Sequence, residues 1–343
     1  MILLLAVLTA LDPIQLRVWE FAAAHKNCGV VVGVRADGTS RVVGAGTVFL
    51  PGGERPPDGQ TVFEIGSITK PLTGILLAEA VRRGEVKLDD PAAKHLPPDL
   101  APPTRDPATP VTLEQLATHR SGLPAQPAGI GLFSKVPANP YADFDRRKLA
   151  ATLARIEPSK KPGEEYRYSN LAAGLLGHAL VNVAKADSFD ALLKERLCKP
   201  LGLKDTGEAL TGGQRARFAR GHTADGKSTS PWDFACLEAC GGVRSTVDDM
   251  LKFAAACLGE PKTDLLPSIH SAIEPRQDVA GPSRIGLFWM TTRHAKDADK
   301  PPIVWHNGGT GGYRSILVLV PERRVAVVVL CSVATDDVDR LGL

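Results

Sequence analysis

Residues 29–49, GVVVGVRADGTSRVVGAGTVF, are two β-branched apolar runs on either side of Asp37-Gly38, and an Asp-Gly pair in that setting predicts a β-hairpin. After Ser67 the spacing changes. LTGILLAEAVRRG, VTLEQLATH, RRKLAATLARI, LAAGLLGHALVNVA, FDALLKERLCKPLG and TVDDMLKFAAACLG repeat apolar residues at helical intervals, which predicts a mainly helical middle. From about residue 284 strands return as RIGLFWMTT, PIVWH, SILVLV and RVAVVVL, the last two joined by a hairpin turn at Pro321 to Arg323.

Strands at both ends and helices between them predict an α/β (α+β) fold: one central sheet assembled from both ends of the chain, with a helical region inserted. The short hairpin links require antiparallel neighbours, since parallel ones need long crossovers. On this pattern residues 1–66 and 282–343 form the α/β region and 67–281 the mainly helical one. The proline-rich stretch 97–110 reads as a surface loop, because helical pattern resumes directly after it.

A chain of 343 residues can bury a large core. Its 41 basic and 38 acidic residues leave a net charge of only +3, which gives no field that argues for nucleic acid or a membrane surface. The six cysteines, Cys28, Cys198, Cys236, Cys240, Cys257 and Cys331, show no metal-site spacing and are expected as small buried hydrophobes without a disulfide between Cys236 and Cys240. The opening run MILLLAVLTAL is too short to span a bilayer. It fits the core of a secretory signal, which would make the protein exported or periplasmic, or the first turns of a helix continuing through Arg17 to Ala24, which leaves a cytoplasmic protein open.

Three short motifs carry candidate chemistry. FEIGSITK holds the only S-x-x-K of the chain, and a helix starting near Ser67 places Lys70 one turn later on the same face, within reach of the hydroxyl. A serine needs such a neighbour to take its proton before it can act as a nucleophile. YRYSN holds the only Y-x-N; Tyr168 could act as a base if a cation such as Lys70 favoured its charged form, and Asn170 can both donate to a substrate carbonyl and accept from a lysine. In WHNGGTGGYRS, His306-Asn307-Gly308 is the only H-x-G and lies at a strand end. No glycine loop runs from there into a helix, so phosphate binding is disfavoured, whereas a glycine-rich strand lets another backbone approach and can aim N–H groups at an oxyanion. Together the three motifs supply a nucleophile, a base and an electrophilic wall.

This ordered trio resembles the class C β-lactamase and penicillin-recognising serine hydrolase family, which includes D-alanyl-D-alanine carboxypeptidases and carboxylesterases. VTLEQLATHRSGLP, KPGEEYRYSN followed by LLGHAL, LCKPLGLKDT and GGVRSTVDDM extend the resemblance over most of the chain. It implies a central antiparallel sheet with terminal helices beside an all-helical region, and an active site in the groove between them. It also implies that Ser67 is the acylated nucleophile, Lys70 its proton partner and Tyr168 the base, with Asn170 holding the substrate amide or Lys70. His306 and Gly308 would belong to the substrate-binding wall, and the backbone N–H groups of Ser67 and Gly309 would form the oxyanion hole. No metal or organic cofactor is implied; the partner is a small-molecule substrate, a β-lactam, D-alanyl peptide or ester.

The sequence departs from the family in the third motif, where class C β-lactamases carry Lys-Thr-Gly and this chain carries His306-Asn307-Gly308. A histidine is mostly neutral at neutral pH, so the grip on a substrate carboxylate should be weaker. Arg314 is a candidate for the missing charge; its other reading is an exposed strand arginine. After the last strand, TDDVDRLGL offers little for a covering C-terminal helix. His119 reads as a structural histidine at a helix end, and Asp89-Asp90 as capping acids before Pro91. The expected function is a serine acyl hydrolase of the class C β-lactamase type for β-lactam or D-alanyl amide substrates. The alternatives are a carboxylesterase for short-chain esters and a penicillin-binding sensor without turnover.

Overall fold

The computed structural model of the protein describes residues 12–343 except 107, 128–129, 131–138, 159 and 294–298. The apolar opening run, residues 1–11, and its reading as a signal core or as first helical turns lie outside the described residues; Arg17 to Ala24 belong to a helix, Pro13–Ala24, capped by Asp12. Strands β1 (Gly29–Ala36) and β2 (Thr39–Gly46) form the predicted hairpin, with Asp37 and Gly38 both at positive φ, as a two-residue turn that matches the strand twist demands. A small hairpin of β3 (Val48–Leu50) and β4 (Gly53–Arg55) follows, and then β5 (Phe63–Glu64), which pairs with β6 (Arg244–Ser245).

The other strands come late in the chain: β7 (Gln277–Asp278), β8 (Ser283–Ile285), β9 (Met290–Thr292), β10 (Ile303–Gly309), β11 (Arg314–Val320) and β12 (Val325–Cys331). Among the described residues, eight strands make one antiparallel sheet in the order β2-β1-β12-β11-β10-β9-β8-β7. The first and last long strands are neighbours, with Val30 opposite Cys331, so the expected central antiparallel sheet built from both chain ends is the one found.

Side chains alternate across this sheet with period two. Val30, Val32, Ile316, Val318, Val329 and Cys331 point to the face covered by the terminal helices, where they pack with Val18, Ala22 and Val338. A short helix, Asp337–Gly342, follows β12 and seats Val338 on that face. Val31, Leu317, Val328 and Leu330 enter the larger core on the opposite face, with the helices Thr69–Arg82 and Val247–Cys257. Gly33 lets the latter helix approach: a Cβ there would meet Val247 and Leu251 at 2.6 and 2.9 Å.

The segment RIGLFWMTT differs from the continuous strand expected. It forms β8 and β9 around a tight turn in which Gly286 N–H donates to the Trp289 carbonyl and Phe288 takes a φ of 64°. Leu287, Phe288 and Trp289 are wholly buried, and the amides of Leu287 and Phe288 donate to Ala272 and Ala117. Burying three bulky side chains under the helical layer outweighs the pairing lost by breaking the strand. Asp90 also differs: it does not cap a helix but anchors a turn, accepting from the Lys87 amide and from Lys94 and His95. All six cysteines are free and buried.

Candidate active site

Ser67 is the middle residue of one 3-10 turn, Gly66–Ile68, that leads from β5 into the helix Thr69–Arg82. The turn is pressed against β10. A Cβ on Gly66, whose φ is 50°, would lie 2.6 Å from Gly309 N, and a Cβ on Gly308 would lie 2.0 Å from the Ile65 carbonyl oxygen. Ser315 Oγ–H closes the contact by donating to that same carbonyl at 2.8 Å. Gly308, and the amide of Gly309, are thus explained by close backbone approach to the serine turn, whereas Gly311 and Gly312 make room for Trp232 and for Thr229 and Gly221.

Lys70 enters the buried helix Thr69–Arg82 one turn after Ser67 and is 0% exposed. Its Nζ lies 2.9 Å from Ser67 Oγ, 2.6 Å from Asn170 Oδ1 and 2.6 Å from the Cys240 carbonyl oxygen, so each of three ammonium N–H groups has an acceptor. A buried charge is tolerable only when paired or hydrogen-bonded in this way. Tyr168 Oη lies 2.7 Å from the same Ser67 Oγ, and Lys70 Nζ stands 4.8 Å from the centre of the Tyr168 ring. Ser67 itself is partly exposed, so a reactant can reach the oxygen on which lysine and tyrosine converge.

Asn170 is the first residue of the helix Asn170–Ala184, started by the Ser169 side chain, which accepts from the Ala172 amide. Its Nδ2 donates to Tyr141 Oη at 3.2 Å, and Tyr141 in turn donates to Gln126 Oε1 at 2.5 Å. Burial pushes the Tyr141 phenol well above its ordinary range, so it stays protonated and able to donate. Tyr141, Gln126 and the Cys240 carbonyl escape motif reading because each arrives from a separate segment, Cys240 from the 3-10 turn Glu238–Cys240, with no spacing that links it to Lys70 or Asn170.

His306 sits on β10 and is 4% exposed. Nδ1–H donates to the Asn307 carbonyl oxygen at 2.6 Å, and burial together with the nearby Lys70 pulls the imidazole down to about 3, which leaves it neutral. Its ring centre is 6.4 Å from that of Tyr168, so the third motif joins the first two in one place. Arg314 begins β11 with its guanidinium engaged elsewhere. Nε donates to Asp336 at 3.2 Å, and Nη1 donates to the Thr310 and Tyr313 carbonyls at 2.9 and 3.0 Å. His119 is buried, and its ring centre lies 4.5 Å from that of Tyr168.

The Beta-lactamase family model matches residues 17–342. A D-alanyl-D-alanine-carboxypeptidase/endopeptidase of Escherichia coli (strain K12), AmpH, is 31% identical over 307 residues, covering 86% of this chain and 77% of that protein. A β-lactamase from the same organism is 28% identical over 314 residues, covering 81% of this chain and 77% of its own length. The fold is shared with the crystal structure of a class C β-lactamase from Rhodobacter sphaeroides, with a TM-score of 0.80, 24% identity and coverage of 96% of this chain and 97% of that one. A β-lactamase/D-alanine carboxypeptidase from Pseudomonas syringae superposes with a TM-score of 0.81 at 19% identity, over 96% and 95% of the two chains. The resemblance first read from three short motifs holds over nearly the whole chain, which belongs to the Beta-lactamase family.

Proposed function

We propose that the protein is a serine hydrolase that opens β-lactam or D-alanyl amide bonds through a covalent acyl-enzyme on Ser67. The observation that carries this reading is the meeting of Lys70 Nζ and Tyr168 Oη on one partly exposed serine oxygen, at 2.9 and 2.7 Å. That geometry supports the following catalytic roles. Ser67 Oγ attacks the substrate carbonyl as its proton passes to the Tyr168 oxygen, while Lys70 provides the positive charge beside both oxygens. The amides of Ser67 and Gly309 receive the oxyanion, and Tyr168 returns the proton to the leaving nitrogen. A water then takes the place of the leaving group and gives its proton to Tyr168 as its oxygen attacks the acyl carbonyl; the bond to Ser67 Oγ breaks, Tyr168 returns the proton to that oxygen, and the acid is released.

Asn170 keeps Lys70 in place and offers its amide to the substrate, and His306 with Gly308 forms the opposing wall. The site then occupies a groove between the α/β region, residues 1–66 and 282–343, and the mainly helical region, residues 67–281. The names of AmpH and of the β-lactamase relatives support the substrate class. Among the described residues no helix is long and apolar enough to cross a membrane. The apolar run at residues 1–11 supports an exported or periplasmic enzyme, with a cytoplasmic one as the alternative.

A carboxylesterase for short-chain esters is the second reading, favoured by the neutral His306 and by the engagement of Arg314 with Asp336, so that among the described residues neither of these two candidates offers a free cation to a substrate. Hydrolysis of a chromogenic cephalosporin and of a short-chain p-nitrophenyl ester, measured side by side, ranks the two. Cephalosporin turnover is expected; ester turnover without it would put the esterase first. Ser67→Ala should abolish both, and a stable Ser67 adduct without product release, seen by mass spectrometry, would mark a sensor.

A further inference from the structure

Residues 166–169 belong to no helix or strand, so the hydrogen bonds that fix Tyr168 must come from another part of the chain. Ser169 Oγ–H donates to the Pro124 carbonyl oxygen at 2.7 Å, and the amides of the two residues that flank the tyrosine both go to His119. The amide of Arg167 donates to the His119 carbonyl oxygen at 2.7 Å, and the amide of Ser169 donates to His119 Nδ1 at 3.1 Å. The amides of the residues on either side of the tyrosine are thus held by the main chain and the side chain of the same histidine. The imidazole also packs on the Tyr168 ring at 4.5 Å between centres and on Phe288 at 5.0 Å.

For both bonds to form together the histidine must turn its carbonyl and its side chain toward one segment, and it does so at a φ of 57°. Histidine and asparagine are among the few side chains that enter this left-handed region readily. Because Nδ1 accepts, the ring proton resides on Nε2. Protonation of Nδ1 would set a donor against the Ser169 donor; burial, with Lys70 and His306 close by, holds the imidazole well below its ordinary range and keeps the acceptor available.

We infer that His119 is a positioning residue for the reaction, fixing the Tyr168 hydroxyl against Ser67 by clamping the two amides that bracket the tyrosine. This rests on the reading of Tyr168 as the base. The hydroxyl lies at the far end of the side chain from the clamped backbone, so a small rotation of the segment is magnified there. A misplacement of about 1 Å can cost about a hundredfold in rate.

The test compares H119G with H119N, which both suit the left-handed backbone and both lack the imidazole, so that they differ in the acceptor for the Ser169 amide. Turnover is measured on whichever of the cephalosporin and the p-nitrophenyl ester reacts faster, with thermal melting as the fold control. H119G should lower kcat by about 10- to 100-fold with KM within about threefold, and H119N should restore kcat to within about threefold of the unsubstituted protein. In the Y168F background H119G should add less than about twofold, since the group it positions is already gone. H119N as slow as H119G, or losses that multiply in the double variant, would overturn the inference. If H119G does not fold, a kcat for H119N far below normal in a protein that melts normally overturns it equally. A Ser67→Ala protein that still turns over would remove the underlying reading of the site, an outcome separate from all of these.

Discussion

On one side of Ser67 the site is made of side chains from helices and loops: a buried lysine with three acceptors, a tyrosine on the same oxygen, and an asparagine chained to Tyr141 and Gln126. On the other side a strand supplies backbone, glycines pressed on the serine turn, and an imidazole that burial keeps neutral. The first wall places charge where a proton has to move. The second contributes shape and amide dipoles and brings no net charge of its own. The comparison separates two questions usually asked together, since the lysine wall bears on the kind of reaction and the strand wall bears on which substrate is held.

The lysine wall should be the costlier one to disturb. Lys70→Met keeps the stem and removes the ammonium, and we expect kcat to fall by about three orders of magnitude, within the range that proton transfer and nucleophile activation supply. The same change leaves Asn170 Oδ1 and the Cys240 carbonyl oxygen without their donor. A buried acceptor so stranded costs about 1–3 kcal/mol, so the urea midpoint should drop as well. Turnover close to normal in Lys70→Met would show that the convergence on Ser67 is structural.

The strand wall should respond in selectivity. His306→Lys restores a cation at the first place of the third motif. It should raise kcat/KM for an anionic cephalosporin over that for a neutral ester by about tenfold, since complementary charge acts on recognition more than on chemistry. Each substrate is assayed on both proteins, and an unchanged ratio would mean that a substrate carboxylate is gripped away from residue 306.

The two walls also differ in how far the sequence discloses them. Ser67 and Lys70 are linked by one helical turn, Tyr168 and Asn170 by one loop, and His306 to Gly309 by one strand end, so each piece has a local spacing. That the three pieces share one place is a tertiary fact, which family resemblance supplied and periodicity could not. The hairpin at Asp37-Gly38 was readable because turn chemistry is local. The break inside RIGLFWMTT was hidden because a buried turn made of Leu287, Phe288 and Trp289 has the composition of a buried strand. Tyr141 and Gln126 carry no sequence signal for a related reason, each being a single residue brought in by packing, and His119 reads as an ordinary helix-end histidine until its two contacts with the Tyr168 segment are seen.

The smallest effect expected from the comparison concerns stability. His306 is held at about 3 in the fold, whereas in an unfolded chain a histidine titrates near 6.5. Between those values the unfolded chain takes up a proton that the folded protein refuses, so this residue's contribution is fully present above about 6.5 and is lost progressively as pH falls toward about 3. Buried and half-buried acids act in the opposite direction. Glu64, Glu208 and Glu238 are each pushed up to about 7, so their protonated forms favour the fold at low pH and that contribution fades as pH rises through 7. The bare pH profile therefore mixes the two, and the difference between the protein and His306→Asn isolates the histidine. Unfolding in urea at a series of pH values should show a constant difference above about pH 7.5. On acidification the unsubstituted protein should lose about 1 kcal/mol relative to the variant by about pH 5.5. Curves that stay parallel down to pH 5 would mean that residue 306 accepts its proton in the folded state, and the strand wall would then carry a charge at mildly acid pH that its geometry at neutral pH does not reveal.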